Sequence, residues 1–220
     1  MEKVLAVVVL TSFERSFAPF WPKFFDNLDY KNKSLALLDE TFYPQISRQA
    51  TFEGKIAAGR QIGIEMARRG GFEFVLFLGA RIEPPPKAIE TLLSAKAAIA
   101  GGVISDPANS ARALVWNYEN RQNLKPVFIR KNILFSNPTV DYLSGDCLLC
   151  VLPVFDRVNF SDYIGPISIP GRWTPADEFF LLKIYQSFGI LPKVASSCRP
   201  WRYDSDGRAY RFYNEVKQWG

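Results

Sequence analysis

Asp177 and Glu178 stand side by side at the head of an apolar stretch that runs to Phe188, with Gly189 following. Paired carboxylates at a helix start are candidates for taking a proton from a hydroxyl, the work of a general base. Earlier in the chain, Gly79, Ala80, Arg81 and Glu83 follow a short apolar run, Phe72 to Leu78, and lead into Pro84, Pro85 and Pro86. The Arg81 guanidinium can meet phosphate oxygens two at a time, and Arg60 offers a second one. Histidine contributes nothing, because the chain has none. Imidazole acid–base chemistry is excluded and the commonest metal ligand is missing.

These groups need a scaffold. An apolar run closed by Gly and Pro predicts a buried strand over Phe72 to Leu78. In an open α/β sheet, ligands sit beyond the carboxyl ends of such strands, which puts Gly79, Arg81 and Glu83 in a site. Lys3 to Phe13 is a first strand, with Thr11-Ser-Phe-Glu-Arg15 at its carboxyl end. Phe17 to Leu28 is helical, and Ser34 to Asp39 is a second strand that ends in a carboxylate. A helix follows from about Gly54 to Arg69. Lys87 to Ala97 is helical again, and Ala98 to Ser105 is a fourth strand. Alternating strands and helices predict an α/β fold with a mostly parallel sheet and helices on both faces.

Beyond this point the pattern changes. Arg112 to Tyr118 and Pro126 to Leu134 read as paired strands, and Val140 to Leu152 contains another. A Gly/Pro-rich loop, Gly165 to Pro175, leads into a helix from Pro175 to Phe188. No repeat or linker interrupts the 220 residues, which predicts a single domain, 1–220. Residues 1–105 would be its nucleotide-binding half, 106–197 its acceptor half, and 198–220 a C-terminal arm. The arm interleaves arginine with aromatics from Cys198 to Trp219. It would cover a sheet edge, or serve as a lid, a carbohydrate platform or a membrane-surface contact.

A hydrophobic fraction of 48% supports a real core, and the net charge is +5 with a pI near 9.1. That balance suits an anionic ligand or a phospholipid surface and is too modest for a nucleic-acid binder. Val4 to Leu10 lacks a following cleavage site and reads as a strand rather than a signal peptide. No apolar run nears the ~18 residues of a membrane span, so the expectation is a cytoplasmic protein, soluble or peripherally membrane-associated. Cys147-Leu-Leu-Cys150 has C-x-x-C spacing, but on a strand an offset of three sends the thiols to opposite faces. Buried free cysteines are expected there, not a redox or zinc site.

Two charged positions fall on apolar faces. Helical spacing places Arg60 on a stripe with Ala57, Ile64 and Ala67. It either forms a structural ion pair or reaches a nucleotide or a carboxylate such as Asp39. Asp177 fits a capping role at N3 behind Thr174 and Pro175, which explains it better than Glu178. The tail pair in Asp204-Ser-Asp206-Gly207 reads as a surface turn.

Taken in order, these segments resemble a family. They are a strand with Thr-x-x-x-Arg, a strand ending in Asp, and Gly-Lys-Ile-Ala-Ala-Gly-Arg-Gln-x-Gly-Ile. Then come Phe-Glu-Phe-Val-Leu-Phe-Leu-Gly-Ala-Arg-Ile-Glu-Pro-Pro, Ser-Gly-Asp-x-Leu-Leu, and Asp-Glu-Phe-Phe before the distant Gly. From Val4 to about Ser197 the chain resembles GT-A-fold glycosyltransferases, of the family 2 type and the related fungal-type mannosyltransferases. The resemblance implies transfer from a nucleotide-diphospho sugar, UDP- or GDP-linked, to a hydroxyl of a glycan, glycoprotein or glycolipid. It implies donor contacts at Thr11, Arg15, Asp39 and Arg60, beside Gly79, Arg81 and Glu83. Ser144, Gly145 and Asp146 match the acceptor-side loop. Asp177-Glu178 matches the family's Glu-Asp pair in reversed order, with Glu178 at the base position by its spacing to Gly189.

The departure is Gly79-Ala80-Arg81, where the family writes Asp-x-Asp to hold a divalent cation on the diphosphate. Manganese or magnesium is not supported by this motif. Either Arg81 supplies the positive charge directly and transfer is metal-independent, or the chain is a catalytically inactive nucleotide- or glycan-binding protein on the same fold. A nucleotidyltransferase and a dinucleotide oxidoreductase are disfavoured, since no glycine-rich loop follows any strand.

Overall fold

The computed structural model describes residues 2–106, 109–119, 125–129, 131–134, 136–163, 168–169, 172–173, 176–204, 208–211 and 215–218. Strand β1 (Val4–Leu10) is buried at every position. A 3₁₀ helix (Arg15–Phe20) and α1 (Trp21–Asp26) lead to β2 (Lys33–Asp39). A short α2 (Pro44–Ser47) precedes α3 (Phe52–Arg69), whose start is capped by Thr51 Oγ1 accepting from the Gly54 N–H at 3.0 Å. Then come β3 (Phe74–Leu78), β4 (Ile82–Glu83), α4 (Ala88–Ser94) and β5 (Ile99–Gly101).

The chain continues through β6 (Ser105–Asp106), β7 (Asn109–Ala113), β8 (Val115–Tyr118), β9 (Pro126–Phe128), α5 (Lys131–Leu134), β10 (Tyr142–Leu143) and β11 (Cys147–Val151). The short strands β12 (Ser168–Ile169) and β13 (Arg172–Trp173) precede α6 (Ala176–Phe188) and β14 (Lys193–Val194). The arm contains β15 (Trp201–Tyr203), β16 (Arg208–Arg211) and β17 (Glu215–Gln218).

Six strands form the central sheet in the order β14-β5-β11-β3-β1-β2. It is mostly parallel, and β11 alone runs against its neighbours β3 and β5. Period-two alternation divides the apolar side chains between two layers. Leu5, Val7, Val9, Val75, Phe77, Leu148 and Cys150 face one layer, under α3 and α6. Val4, Ala6, Val8, Leu10, Leu76, Leu78, Cys147 and Leu149 face the other, against α1 and α4. Cys147 and Cys150 thus lie on opposite faces, both buried, and all three cysteines are free. Cys147 Sγ meets Cys198 Sγ at 3.8 Å.

Several boundaries differ from the sequence reading. The fourth strand stops at Gly101: Gly102 N–H still donates to Cys147 O, but Val103 N–H donates to Cys198 O, and Ser105–Asp106 pairs with β7 instead. Pro126 to Leu134 is not one strand: pairing ends at Phe128 and Lys131–Leu134 forms a helical turn. Arg112 to Tyr118 is broken at Leu114, whose N–H donates to Ile104 O while its carbonyl accepts from Ser144 N–H. The expected helix over Phe17 to Leu28 starts as 3₁₀, with Pro19 inside that segment. Thr174 and Pro175, the expected cap of α6, lie outside the described residues, as does most of the Gly165 to Pro175 loop.

Helix α3 lies unusually close to β1. A Cβ at Gly59 would stand 2.5 Å from a Val9 methyl, and one at Gly63 would stand 2.6 Å from a Val7 methyl. Valine cannot swing aside as a longer side chain would. Gly63→Ala should therefore destabilise the fold by about 1–3 kcal/mol through overpacking, despite the better helix propensity of alanine. Thermal unfolding would show a lowered Tm; an unchanged or raised Tm would contradict the close helix–strand contact.

Candidate functional site

The antiparallel course of β11 builds the site. Cys147 pairs with Leu78, so the residues just before β11 lie beside those just after β3. Gly79 N–H donates to Asp146 O at 3.0 Å, and the Asp146 carboxylate occupies the space where a side chain at 79 would be. A Cβ on Gly79 would come within 2.6 Å of Asp146 Oδ1. The carboxyl ends of β1 and β3, the start of β11, the N-terminus of α6 and the arm strand β15 thereby surround one cleft of about 330 Å³. A second chamber of about 250 Å³ adjoins the first and is lined also by Phe13, Arg81 and Ile82, sharing Glu14, Phe52, Gly79, Ala80, Asp146 and Arg202 with it.

Asp177 lines the inner cleft. Its Oδ2 accepts from Gly145 N–H at 2.6 Å and from the Tyr142 hydroxyl at 3.1 Å. Burial raises its pKa above the ordinary carboxylate value, against the lowering effect of the Arg60 guanidinium and the Gly145 N–H. Burial and the Asp177 charge also hold the Tyr142 phenol well above its usual range, so it remains a donor. Arg60 is only 6% exposed, on the stripe of α3 shared with Ala57, Ile64 and Ala67. It donates to Gly145 O at 2.9 Å and lies over the rings of Phe77 and Phe160. Gly145 has no room for a side chain: a Cβ would meet both Arg60 Nη atoms at 2.6 Å.

The sequence-derived candidates separate into two groups. Arg60, Gly79, Arg81, Ser144, Asp146 and Asp177 line the two chambers, with Gly145 directly behind them. The others stand elsewhere. Glu178 is 0% exposed and accepts from the Tyr118 hydroxyl in the core. Glu83 accepts from the Tyr203 hydroxyl within the arm sheet. Arg15 and Asp39 pair with each other at 3.2 Å beyond β1 and β2. Burial would raise the Asp39 pKa, but hydrogen bonds from Thr41 and Arg15 outweigh it and hold the carboxyl below its usual value. Thr11 is buried and its hydroxyl is 3.5 Å from Glu14 Oε2.

Residues that sequence reasoning passed over also face the cleft: Glu14, Phe52, Glu53, Tyr142 and Arg202; Asp106 lines it too. Glu14 is strongly perturbed. Burial, then the Asp146 charge, pushes its carboxyl up to about 7, against the pull of Arg81, Arg202 and Thr11. Its only sequence signal was its position in the turn after the first strand.

A divalent cation does not fit this arrangement. Gly79 carries no ligand, Arg81 stands 3.7 Å from Glu14, and Arg202 stands 3.6 Å from Asp146. Among the described residues no three acids or cysteines converge as a metal site requires.

No protein-family model matches the chain, and no curated protein matches it. Solved structures do. The crystal structure of A197 from STIV aligns with a TM-score of 0.61 at 10% identity, over 99% of this chain and 94% of that one. S. aureus TarS 1-349 aligns with a TM-score of 0.50 at 11% identity, over 87% of this chain and 57% of that one. A second S. aureus TarS structure gives 0.53 at 11% identity, over 97% of this chain and 37% of that one. The chain spans little more than half of the first TarS chain and about a third of the second. At such identity the likeness concerns the fold alone, a mixed α/β fold on a six-stranded, mostly parallel sheet. Among the described residues no helix is long and apolar enough to cross a membrane.

The raised Glu14 pKa has a stability signature. A carboxyl that binds its proton more tightly when folded contributes stability that is complete below its unfolded value, 4.5, and lost as pH rises through about 7. Glu14→Gln removes that loss. Urea unfolding at about pH 5 and about pH 7.5 should show the variant gaining on the wild type by up to about 3 kcal/mol at the higher pH. Parallel pH profiles for the two proteins would contradict the assignment.

Proposed function

We propose that this chain transfers a glycosyl unit from a UDP- or GDP-linked sugar to a hydroxyl of a glycan, glycoprotein or glycolipid. The observation that carries the reading is the Asp177 carboxylate, held by Gly145 N–H and the Tyr142 hydroxyl at the wall of a cleft beyond the carboxyl ends of β1 and β3. The glycosyltransferase-like fold is consistent with that position.

Asp177 is the base in this reading. It takes the proton of the acceptor hydroxyl while that oxygen bonds to the anomeric carbon. The anomeric carbon–oxygen bond to the diphosphate breaks, and its electron pair leaves with the diphosphate. Burial makes Asp177 more basic than an exposed aspartate, which favours proton transfer near neutral pH. Glu178 instead packs with Tyr118 and supports the helix start, since its side chain lies in the core. Arg60 anchors Gly145 through its carbonyl while the N–H of the same residue holds Asp177, and Arg81 lines the adjoining chamber, where a leaving diphosphate needs positive charge. Ser144 and Asp146 would meet the substrate from the β11 side.

Incubation with a panel of radiolabelled nucleotide sugars and acceptors tests the reading. Asp177→Asn should lower transfer or slow donor hydrolysis by about 10²- to 10⁴-fold, the usual contribution of a general base. Donor affinity should stay within a few-fold, because the amide retains the shape. Undiminished turnover in the variant would remove Asp177 from the chemistry. Tight nucleotide binding with no turnover in the wild type would support a non-catalytic binding protein instead.

A further inference from the structure

In the second chamber two guanidiniums and two carboxylates meet. Arg81, in the turn between β3 and β4, has Nε 3.7 Å from Glu14 Oε1. Arg202, on β15, has Nη1 3.6 Å from Asp146 Oδ2. Both are single-point contacts well beyond the ~2.7–2.9 Å of a charge-assisted hydrogen bond. Neither fork grips its acid through two N–H groups, and the further bond from Arg81 Nη2 to Phe13 O is long, at 3.5 Å. Main-chain bonds fix the spacing of the two arginines: Arg202 pairs across the sheet with Ile82, and Tyr203 N–H donates to Arg81 O at 2.9 Å. Both guanidiniums border the same chamber as Gly79 and Ala80, where the backbone leaves space for a ligand.

Glu14 is surrounded from every side by groups that sense charge. Thr11 faces it from the end of β1, Arg81 from the β3–β4 turn, Asp146 from the turn before β11, and Arg202 from β15. Glu53, Asp106, Arg60 and Asp177 lie further round the same cleft. Drawing the two guanidiniums away removes the two positive charges that favour ionised Glu14. An anion in their place adds a negative one. Both changes favour the protonated acid.

We propose that Arg81 and Arg202 form a two-arginine clamp for a diphosphate, exchanging Glu14 and Asp146 for phosphate oxygens, and that Glu14 takes up a solvent proton as the anion binds. The identity of the ligand, a nucleotide-diphospho sugar, rests on the transfer reading above; the clamp itself requires only a diphosphate. The arm strand is thereby part of the donor site, and charge balance in the cleft is restored by a proton.

The test is calorimetric binding of a uridine-diphospho and a guanosine-diphospho sugar to the full chain, in buffers of different ionisation enthalpy. The diphosphate of such donors stays fully ionised between about pH 6 and about pH 8, so any linked proton belongs to the protein. The wild type should take up a proton on binding, and Kd should weaken by up to about tenfold per pH unit above about pH 7. Glu14→Gln should bind with a flat pH profile. Arg202→Ala should weaken binding about 10- to 100-fold, and Arg202→Lys by less, with the Tm of both unchanged. Proton-free binding by the wild type, or undiminished affinity in Arg202→Ala, overturns the clamp, as does failure to bind either donor. Turnover measured alongside separates the two ideas. Pre-steady binding that is proton-linked but never followed by sugar release supports the clamp and overturns transfer, whereas turnover with pH-independent binding does the reverse.

Discussion

The cleft depends on one residue whose two flanking peptide groups are held by opposite charges. The Gly145 carbonyl accepts from the Arg60 guanidinium at 2.9 Å, and its N–H donates to the Asp177 carboxylate at 2.6 Å. A buried guanidinium without partners would be expensive, and so would a buried carboxylate. Here each is satisfied by the same residue, while Phe77 and Phe160 present their ring faces to Arg60. The arrangement ties α3, β11 and α6 together at the end of the sheet. Only glycine fits, because any side chain would collide with both charged partners.

The sheet explains why such a junction can exist. Five strands could all point their carboxyl ends at a ligand, but β11 enters in the opposite direction between β3 and β5. Its leading residues therefore lie at the same edge as the trailing residues of β3. Gly79 and Asp146, far apart in sequence, become neighbours linked by a main-chain hydrogen bond. An acid thus stands against position 79 even though residue 79 has no side chain.

Legibility in the sequence followed the range of the interaction. The strands β1, β2 and β3 and the helix α3 were visible as apolar runs with turn residues at their ends, which are local signals. Helical spacing placed Arg60 on its buried stripe, and strand parity placed Cys147 and Cys150 on opposite faces; both depend only on periodicity. The choice between Asp177 and Glu178 was not legible. Adjacent helix residues differ by about 100° in direction, and which faces the cleft depends on Tyr142 and Tyr118 arriving from β10 and β8. Glu14 and Arg202 were hidden for the same reason: their environment is made by contacts across most of the chain. The arm's aromatic and arginine content was plain, but not that β15 would pair with β4. The strand ending at Gly101 was not legible because Val103 and Ile104 carry the apolar run past the last paired residue.

Arg202 reaches the cleft on a strand that follows β14 in chain order, while the central sheet needs nothing after Val194. During vectorial synthesis the six strands and the layer under α3 and α6 can assemble first, whereas the opposite layer is completed by Ala195, Cys198, Tyr203 and Ala209 as the wall that carries Arg202 is added. A nascent chain would therefore present a folded core with an open, acid-rich mouth before it presents a finished one. Ligand capture would be among the last properties the polypeptide acquires.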